Sequence, residues 1–318
     1  MEYEALERAG LVLLDRIGNI VDAPGSISRD VGRGLLVALR RGAYVRRPVW
    51  ESSTPREQHV LRVRAVVAAA QRPVLVAGVS AAAVWGMPIA GEWPTDVLVL
   101  DERQGGGHRE PGVRRTSVGF RTAEPMSVDG VPITSLARTA LDVARRASFS
   151  DAMGSLDWAL WRKNPRAITA EHLTAELVKF EQTRGFVGLG RSSNFATSLS
   201  DSFGESEARA VAHLLGFEAP ELQVQFRDVQ GLIETDFLWR SIRTAFEFDG
   251  KQKYTRDEFT QGDPGEVVWR EKKREDRLRQ LDVRVRRILT EHVKRPRLLE
   301  QILLDAGVPR LHRPSGRR

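Results

Sequence analysis

The pattern of apolar and polar positions is clearest in the last third of the chain, where segments with helical spacing alternate with segments of strand character. Apolar residues spaced three and four apart predict helices, and short apolar or alternating runs predict strands. These segments follow in the order helix, three strands, helix, strand, over residues 204–215, 224–228, 232–239, 244–248, 265–281 and 284–289. The order predicts an αβββαβ unit of the α/β class.

The middle of the chain carries shorter segments of both kinds, which predict a mixed α/β domain. Thr134 or Ser135 is a suitable N-cap for a helix that runs to residue 146. The other segments are predicted strands over 74–77, 97–100 and 128–133, and predicted helices over 79–86, 150–161 and 169–183. None of them carries a catalytic cluster. Asp142 and Asp157 lie among apolar helix residues, which favours structural acids with satisfied partners.

The N-terminal residues predict small helices followed by a β-hairpin. A first helix over residues 3–17 would present Leu6, Ala9, Leu13 and Leu14 on one face. Ser26 or Ser28 would cap a short helix through Arg33. The runs 35–39 and 43–45 flank the turn Arg40-Arg41-Gly42, a hairpin pattern. Helices followed by a basic hairpin outline a winged helix. The alternative is a small helical capping domain with a hairpin.

Two polar breaks divide the chain into three predicted domains. The first break is the hinge over residues 51–55, and the second is the Ser- and Asn-rich stretch over residues 191–202. They give a winged-helix domain over 1–52, a mixed α/β domain over 53–200 and the αβββαβ domain over 201–318.

Composition excludes several classes of protein. The chain has 318 residues and no cysteine, which excludes disulfides, thiolate metal sites and cysteine nucleophiles. No apolar run reaches the roughly 18 residues of a membrane span. The N-terminus is acidic, unlike a secretory signal. We therefore expect a cytoplasmic protein without a membrane partner.

Positive charge is clustered in two segments. The net charge is +7, with 49 Lys and Arg against 42 Asp and Glu. Residues 33–47 contain five arginines and no acid, and residues 268–297 contain twelve basic residues against five acids. Such clusters favour contacts with a polyanion, although solvated helix faces look the same in sequence. The predicted DNA contacts are Arg33, Arg40, Arg41, Arg46, Arg47, Lys272 and Lys273.

Candidate chemistry lies on two adjacent predicted strands of the last domain. Asp236 and Glu247 each sit between apolar neighbours, and adjacent strands can bring them together around a divalent cation. Hard oxygen ligands favour Mg²⁺ or Mn²⁺. Lys251 or Lys253 could orient a water or stabilise charge at a phosphate. Glu205, on the packed helix, could project into the same site.

Four motifs carry a resemblance to a known superfamily. In order they read SFGESEAR, TDFLW, FEFDGKQKY and EKKREDRLRQLDVRVRRIL, across about 100 residues. They resemble the PD-(D/E)XK nucleases, in the branch related to very-short-patch-repair endonucleases. The resemblance implies a restriction-endonuclease-like core that cleaves DNA with Mg²⁺ or Mn²⁺.

The resemblance also implies roles for individual residues. Asp236, Glu247 and Asp249 would be metal ligands, and Glu205 an accessory acid. Lys251 or Lys253 would be the catalytic cation. The superfamily motif ends in acid–x–Lys, and here both Glu247-Phe-Asp249 and Asp249-Gly-Lys251 compete for that place. Asp249-Gly250 also reads as a simple turn. We favour Lys251 as the catalytic lysine, because it is closer in sequence to both acids.

The other two domains resemble a different family. The stretch RGLLVALRRGAYV resembles the start of AbiEi-type antitoxins, and SAAAVWGMP and GVPITSLARTALDVAR resemble the middle of long actinobacterial relatives. Those antitoxins are the DNA-binding halves of type IV toxin–antitoxin pairs, so the resemblance implies double-stranded DNA and a cognate toxin as partners.

Two further features give no site. His108 follows a run of glycines, and a lone histidine in such a loop is usually exposed. The run Gly105-Gly106-Gly107 lacks the strand–Gly–helix context and the Lys-Ser/Thr pair of a phosphate loop.

Two functions from different classes remain. The first is a metal-dependent DNA endonuclease delivered to duplex DNA by a winged helix. The second is a non-catalytic repressor or antitoxin with a degenerate nuclease-like domain. The complete set of acids favours the nuclease, whereas the antitoxin-like N-terminus and the unassigned lysine favour the repressor.

Overall fold

The structure is a computed structural model that describes residues 7–8, 11–13, 23–102, 110–181, 183–250 and 264–311. Within these ranges helices accompany two four-stranded sheets and one five-stranded sheet, so the α/β class is confirmed. No described helix combines the length and apolar character needed to cross a bilayer.

The chain forms two compact units. The first comprises Met1–Arg146 and Ile168–Ser193, and the second comprises Ala147–Ala167 and Asn194–Arg318. The polar hinge over 51–55 lies inside the first unit. There it separates two helices, and the capping box of Thr54 and Glu57 starts the second of them.

A four-stranded sheet begins the first unit, with strand order β1-β2-β4-β3. Leu11 on β2 packs with Ala43 and Val45 on β4 and with Leu61 and Ala65 on α3, so one core joins sheet and helix. The elements are β1 (Glu7–Arg8), β2 (Leu11–Leu13), α1 (Ala23–Gly32), β3 (Leu36–Arg40), β4 (Ala43–Arg46), α2 (Arg47–Ser52) and α3 (Pro55–Ala69).

Two N-terminal predictions are wrong and one is confirmed. The hairpin of β3 and β4 is confirmed. The helix predicted over 3–17 is wrong, because Glu7–Arg8 and Leu11–Leu13 are strands. A short apolar run fits either period, and pairing with β4 decides for the strand. Helix α1 begins at Ala23, so Ser26 and Ser28 lie inside it and do not cap it.

A five-stranded sheet with order β7-β6-β5-β9-β8 forms the rest of the first unit. Its central strands are buried, and Ser135 caps the following helix by accepting a hydrogen bond from the Arg138 backbone N–H. The elements are β5 (Leu75–Val76), α4 (Gly78–Trp85), β6 (Val97–Leu100), β7 (Val113–Thr116), β8 (Pro125–Val128), β9 (Val131–Thr134) and α5 (Leu136–Ala144).

The single strand predicted over 128–133 is a hairpin instead. Strands β8 and β9 pair antiparallel, and both Asp129 and Gly130 have positive φ between them. An Asp-Gly pair favours this tight turn, so the signal was present in the sequence. The correction adds an edge strand and leaves β9 in the centre of the sheet.

His59 lies in the core beside this sheet and is held as a neutral imidazole. Its Nδ1–H donates to the Pro94 carbonyl at 2.8 Å, and its Nε2 lies 2.9 Å from the Ser80 hydroxyl. That hydroxyl also accepts from the Leu98 backbone N–H. Burial lowers the pKa of His59 to about 4.

This burial predicts a pH dependence of folding. The folded pKa of about 4 lies below the model-peptide value of 6.5, so the stabilisation is present above pH 6.5 and is lost as the pH falls toward 4. We expect a loss of about 3 kcal/mol across this window, from 1.36 kcal/mol for each pKa unit. Urea denaturation at several pH values between 7 and 4 gives the free energy of unfolding of the wild type and of His59→Gln. The predicted loss is the difference between the two proteins in how this free energy changes with pH. Equal pH slopes for the two proteins would contradict this prediction.

The remaining elements belong mostly to the second unit. Helix α6 is in the second unit, α7 is in the first unit, and the division between the units falls within α8. In chain order, the elements are α6 (Phe149–Leu160), α7 (Ala170–Val178), α8 (Phe186–Phe195), α9 (Phe203–Leu214), β10 (Glu221–Asp228), β11 (Gly231–Trp239), β12 (Thr244–Asp249), α10 (Pro264–Gln280), β13 (Arg284–Leu289), α11 (Thr290–Lys294) and α12 (Pro296–Ala306).

The sheet of the second unit has strand order β10-β11-β12-β13. The first three strands are antiparallel, and β13 is parallel to β12 after the crossover through α10. Phe246 and Phe248 belong to a core with α9, α11 and α12, whereas Leu238 and Ala245 pack with Leu278 of α10. The predicted order helix, three strands, helix, strand is present from α9 to β13.

The two acids expected to be structural do have partners. Asp142 pairs with Arg138 at 3.0 Å. Asp157 accepts from Arg209 at 3.0 Å and from the Thr197 backbone N–H at 2.8 Å. Both carboxylates are buried, and burial is the main cause that raises their pKa values. This prediction is confirmed.

Candidate functional site

Asp236 and Glu247 occupy neighbouring positions on adjacent strands. The register pairs Phe237 of β11 with Phe246 of β12, so the two acids lie one residue beyond that pair. Ala245, two residues before Glu247, packs against α10, and strand alternation places Glu247 on that same face. The Phe248 backbone N–H donates to Asp236 Oδ2 at 2.7 Å, which ties the two strands together at the acids.

An arginine of α10 neutralises Glu247. Arg274 Nη2 lies 2.6 Å from Glu247 Oε2, and its Nη1 donates to the Glu234 carbonyl at 2.7 Å. Arg274 precedes the packed Leu278 by four residues, which puts both on the helix face toward the sheet. Sequence reasoning missed Arg274, although this spacing from an apolar residue could have indicated it.

Glu205 lies in the first turn of α9 and is only 6% exposed. Its Oε2 accepts from the Asp201 backbone N–H at 2.9 Å, and its Oε1 accepts from the Ser202 hydroxyl at 2.8 Å. Burial raises the pKa of Glu205 to about 7, and the charge of Asp236 acts in the same direction. The carboxylate of Glu205 is therefore within electrostatic range of Asp236 on β11.

Gln223 of β10 also reaches this site. Its Nε2 donates to Glu205 Oε2 at 3.1 Å, and the residue is buried. Sequence reasoning missed it, because a glutamine within an alternating strand carries no functional signal. Only the approach of α9 to the sheet shows its partner.

Asp249, the third predicted metal ligand, lies at the end of β12. Its Oδ2 is 3.7 Å from Arg287 Nη1 on β13, and Arg287 Nη2 lies 2.8 Å from Glu275 Oε1. Asp249 and Glu247 therefore have different arginine neighbours. Asp249 contacts β13 through Arg287, whereas Glu247 contacts α10 through Arg274.

Two basic residues that follow α6 form ion pairs with Asp201 and Glu234. Lys163 pairs with Asp201, and Arg162 Nη2 lies 3.4 Å from Glu234 Oε1. Both pairs are partly exposed, so each contributes little to stability. No sequence signal could have indicated this contact, because about 70 residues separate Arg162 from Glu234.

The basic hairpin exposes part of its positive charge. Arg33 and Arg41 are exposed, and Arg46 is half-buried. Arg40 Nη2 lies 2.6 Å from Glu110, and Arg47 Nη1 lies 3.4 Å from Glu51. The bond from Arg40 lowers the pKa of Glu110.

The basic helix α10 keeps two lysines in solvent. Lys272 and Lys273 are exposed, and Lys273 Nζ lies 3.4 Å from the ring centroid of the exposed Trp269. Two other basic residues of this helix face acids of the sheet, since Arg277 pairs with Asp228 and Arg274 with Glu247. The helix thus has one face toward the sheet and one face that carries exposed lysines.

Several sequence candidates lie outside the described residues. These are Lys251, Lys253, His108 and the glycines at 105–107. Within the residues that the structure does describe, no cluster of three or more His, Asp or Glu side chains could hold a metal ion. Asp236 lies next to Glu247 in the strand register and interacts electrostatically with Glu205, while Arg274 holds Glu247.

No protein-family model matches this chain. It is 31% identical over 193 residues to two proteins of Mycobacterium tuberculosis, Uncharacterized protein MT2308 of strain CDC 1551 and Uncharacterized protein Rv2248 of strain H37Rv. Each match covers 58% of this chain and 67% of the relative.

A solved structure is also similar to part of the chain. It is the crystal structure of RV2827C protein from Mycobacterium tuberculosis, with a TM-score of 0.33 and 17% sequence identity. The match covers 54% of this chain and 65% of that one. Because the match covers 67% of the length of Uncharacterized protein Rv2248 at 31% identity, the chain belongs to the same family as that protein.

Proposed function

We propose that this protein is a metal-dependent DNA endonuclease whose active site lies at Asp236 and Glu247 in the second unit. One observation carries the proposal. Asp236 and Glu247, two carboxylates, lie on adjacent strands, each one residue beyond the paired Phe237 and Phe246. Two close like charges are unfavourable unless a cation lies with them. The four nuclease-like motifs and the order of elements from α9 to β13 support this proposal.

The residues fit a hard divalent cation in the kind of donor they offer. Mg²⁺ is commonly held by one or two carboxylates, with water and phosphate oxygens completing its shell. Asp236 and Glu247 would hold it, with Asp249 as the third candidate. When bound, such an ion activates a water and stabilises the charge on the attacked phosphate. Arg274 must release Glu247 for this binding.

The chain's own groups supply the remaining chemistry. Glu205 has a pKa raised to about 7 by burial and by Asp236, so near neutral pH it can hold or release a proton. The backbone N–H of Phe248 fixes Asp236, and Ser202 with Asp201 fixes Glu205. Lys251, which we favour as the catalytic cation, comes two residues after the end of β12 in the sequence.

Duplex DNA is the substrate that the charge distribution supports. The arginines of the hairpin and the lysines of α10 would contact phosphates, which gives affinity without sequence specificity. Four of these residues are exposed and suited to this role: Arg33, Arg41, Lys272 and Lys273. Arg40 and Arg47 would first have to break their ion pairs with Glu110 and Glu51.

A second function is favoured by a specific contact. Arg274 places a guanidinium on Glu247 where the nuclease needs a metal ion. In a degenerate nuclease site, such an arginine takes the place of the metal ion permanently. The protein would then be a DNA-binding repressor or antitoxin, with a toxin as its partner.

Plasmid cleavage separates the two functions. With Mg²⁺ or Mn²⁺, we expect the wild type to convert supercoiled plasmid to nicked or linear DNA. Asp236→Asn should reduce the rate about 1,000-fold, or about 4 kcal/mol of barrier. The asparagine keeps an oxygen for the Phe248 N–H and removes only the charge.

A matched control is Asp282→Asn. Asp282 is exposed in a turn at a φ of 58°, a conformation that asparagine also adopts. This variant should cleave like the wild type. If the wild-type protein binds duplex DNA but does not cleave it with either Mg²⁺ or Mn²⁺, the nuclease proposal is contradicted and the repressor proposal is favoured.

A further inference from the structure

We propose that Gln223 is a positioning residue of this site, which holds Glu205 beside Asp236 through its side-chain amide. The inference rests on the proposed function and adds a residue that neither the motifs nor the resemblance assigns. It follows from three observations: the backbone of Gln223, its burial, and the partner of its amide.

The backbone of Gln223 is strained. Its φ is 51°, in the left-handed region that side chains other than those of Gly, Asn and Asp rarely adopt. The ladder between β10 and β11 pairs Leu222 with Phe237 and Val224 with Thr235, and it omits the pair of Gln223 with Asp236. The irregularity is therefore directly opposite the acid of the site. Strained residues of this kind concentrate at functional sites.

The strain directs a buried amide to the site acid. Gln223 is 8% exposed, and its Nε2 donates to Glu205 Oε2 at 3.1 Å. Asp201 and Ser202 already satisfy Glu205 as a helix-capping residue. The contact from Gln223 is thus additional to the cap, and it joins α9 to β10 by a hydrogen bond.

Repulsion explains why an extra tie is needed. Asp236 and Glu205 carry like charges when both are ionised, and this repulsion acts to separate the two carboxylates. A neutral donor from β10 keeps the Glu205 carboxylate in place without adding a charge to the site. A glycine would adopt the same φ without strain, but it would lack the amide.

Two variants separate the amide from the strain. Gln223→Ala removes the amide and keeps the strained φ, whereas Gln223→Gly removes both. We expect each to lower the kcat of plasmid cleavage about 100-fold with KM within about twofold, as for a small misplacement of a reacting group. The glycine variant should melt a few degrees above the alanine variant, since its strain is relieved.

Gln225→Ala is the matched control. Gln225 lies two residues along the same strand, is exposed and donates to Glu234 at 3.0 Å. This variant should keep the wild-type kcat. In a double-mutant cycle, Gln223→Ala should add nothing to the loss caused by Glu205→Gln, because Gln223 acts through Glu205.

The outcomes are distinguishable. Wild-type kcat in both Gln223 variants, or full additivity with Glu205→Gln, would overturn the role of Gln223 while the nuclease stands. If kcat changes in parallel with the melting temperature, so that Gln223→Gly is more active than Gln223→Ala, then Gln223 contributes to stability alone. No cleavage by the wild type would overturn both proposals.

Discussion

Replacement of Arg138 by alanine is expected to destabilise the first unit by about 3–5 kcal/mol, the range for a broken buried ion pair. Arg138 is 1% exposed, and its Nε donates to Asp142 Oδ2 at 3.0 Å. Its other nitrogens donate to the carbonyls of Val118 and Gly119, and the guanidinium lies 4.5 Å from the ring centroid of Phe180. One side chain therefore joins helix α5, the turn at Val118 and Gly119, and the turn that follows α7.

The loss comes mainly from what the alanine leaves behind. Asp142 is buried, and burial raises its pKa while the charge of Arg138 lowers it. Without the arginine, the carboxyl must take up a proton or remain charged in a medium of low polarity. Two backbone carbonyls also lose their donor, and each buried unsatisfied group costs about 1–3 kcal/mol.

Urea denaturation of the wild type, Arg138→Ala and Arg115→Ala measures this effect. Arg115 pairs with Asp101 and Glu110 at the surface, where an ion pair is worth less than about 1 kcal/mol. We expect a small change for Arg115→Ala and a large one for Arg138→Ala. Similar changes in both would show that the buried network is no stronger than a surface pair.

Replacement of Gly204 by alanine is expected to destabilise the second unit by about 1–3 kcal/mol and to impair the proposed site. A Cβ at Gly204 would lie 2.1 Å from Phe248 Cε1, so the buried Phe248 ring must shift, with α9 or β12. Phe248 lies between Glu247 and Asp249, and its backbone N–H holds Asp236. Movement of β12 would displace the acids that the cleavage reaction needs, and we expect kcat to fall more than about 100-fold.

Gly190→Ala is the matched control for Gly204→Ala. Gly190 lies in helix α8, and a Cβ there would meet nothing within 4 Å. Alanine should stabilise that helix by about 0.5–1 kcal/mol, because it has less freedom to lose on folding. Thermal unfolding and plasmid cleavage check both variants. A Gly204→Ala protein with wild-type stability and kcat would contradict the close approach of α9 and β12.

Local patterns predicted the second unit well and the N-terminal residues poorly. Each of the six elements predicted between residues 204 and 289 begins and ends within three residues of its observed limits. These elements are long or strongly periodic, so their own side chains decide their conformation. The segment Leu11–Leu13 is too short for that, and its pairing with β4 decides the outcome.

The candidate acids also followed from local pattern. Asp236 and Glu247 were predicted on adjacent strands, and the register places them side by side. Glu205 was predicted in the first turn of its helix, where its backbone N–H donates to the N-cap Ser202 hydroxyl and its carboxylate accepts from that hydroxyl. Strand alternation and helix-capping rules are properties of neighbouring residues, so the sequence carries them directly.

The sequence by itself thus determined the α/β class, the elements of the second unit and the acids expected in one site. The tertiary structure alone decided which charges meet those acids: Arg274 on Glu247, Gln223 on Glu205, and Arg162 beside Glu234. These contacts join residues 18 to 72 positions apart along the chain. They depend on how helices pack on the sheet, since side-chain partners across a core are selected by fit and charge that no local pattern records.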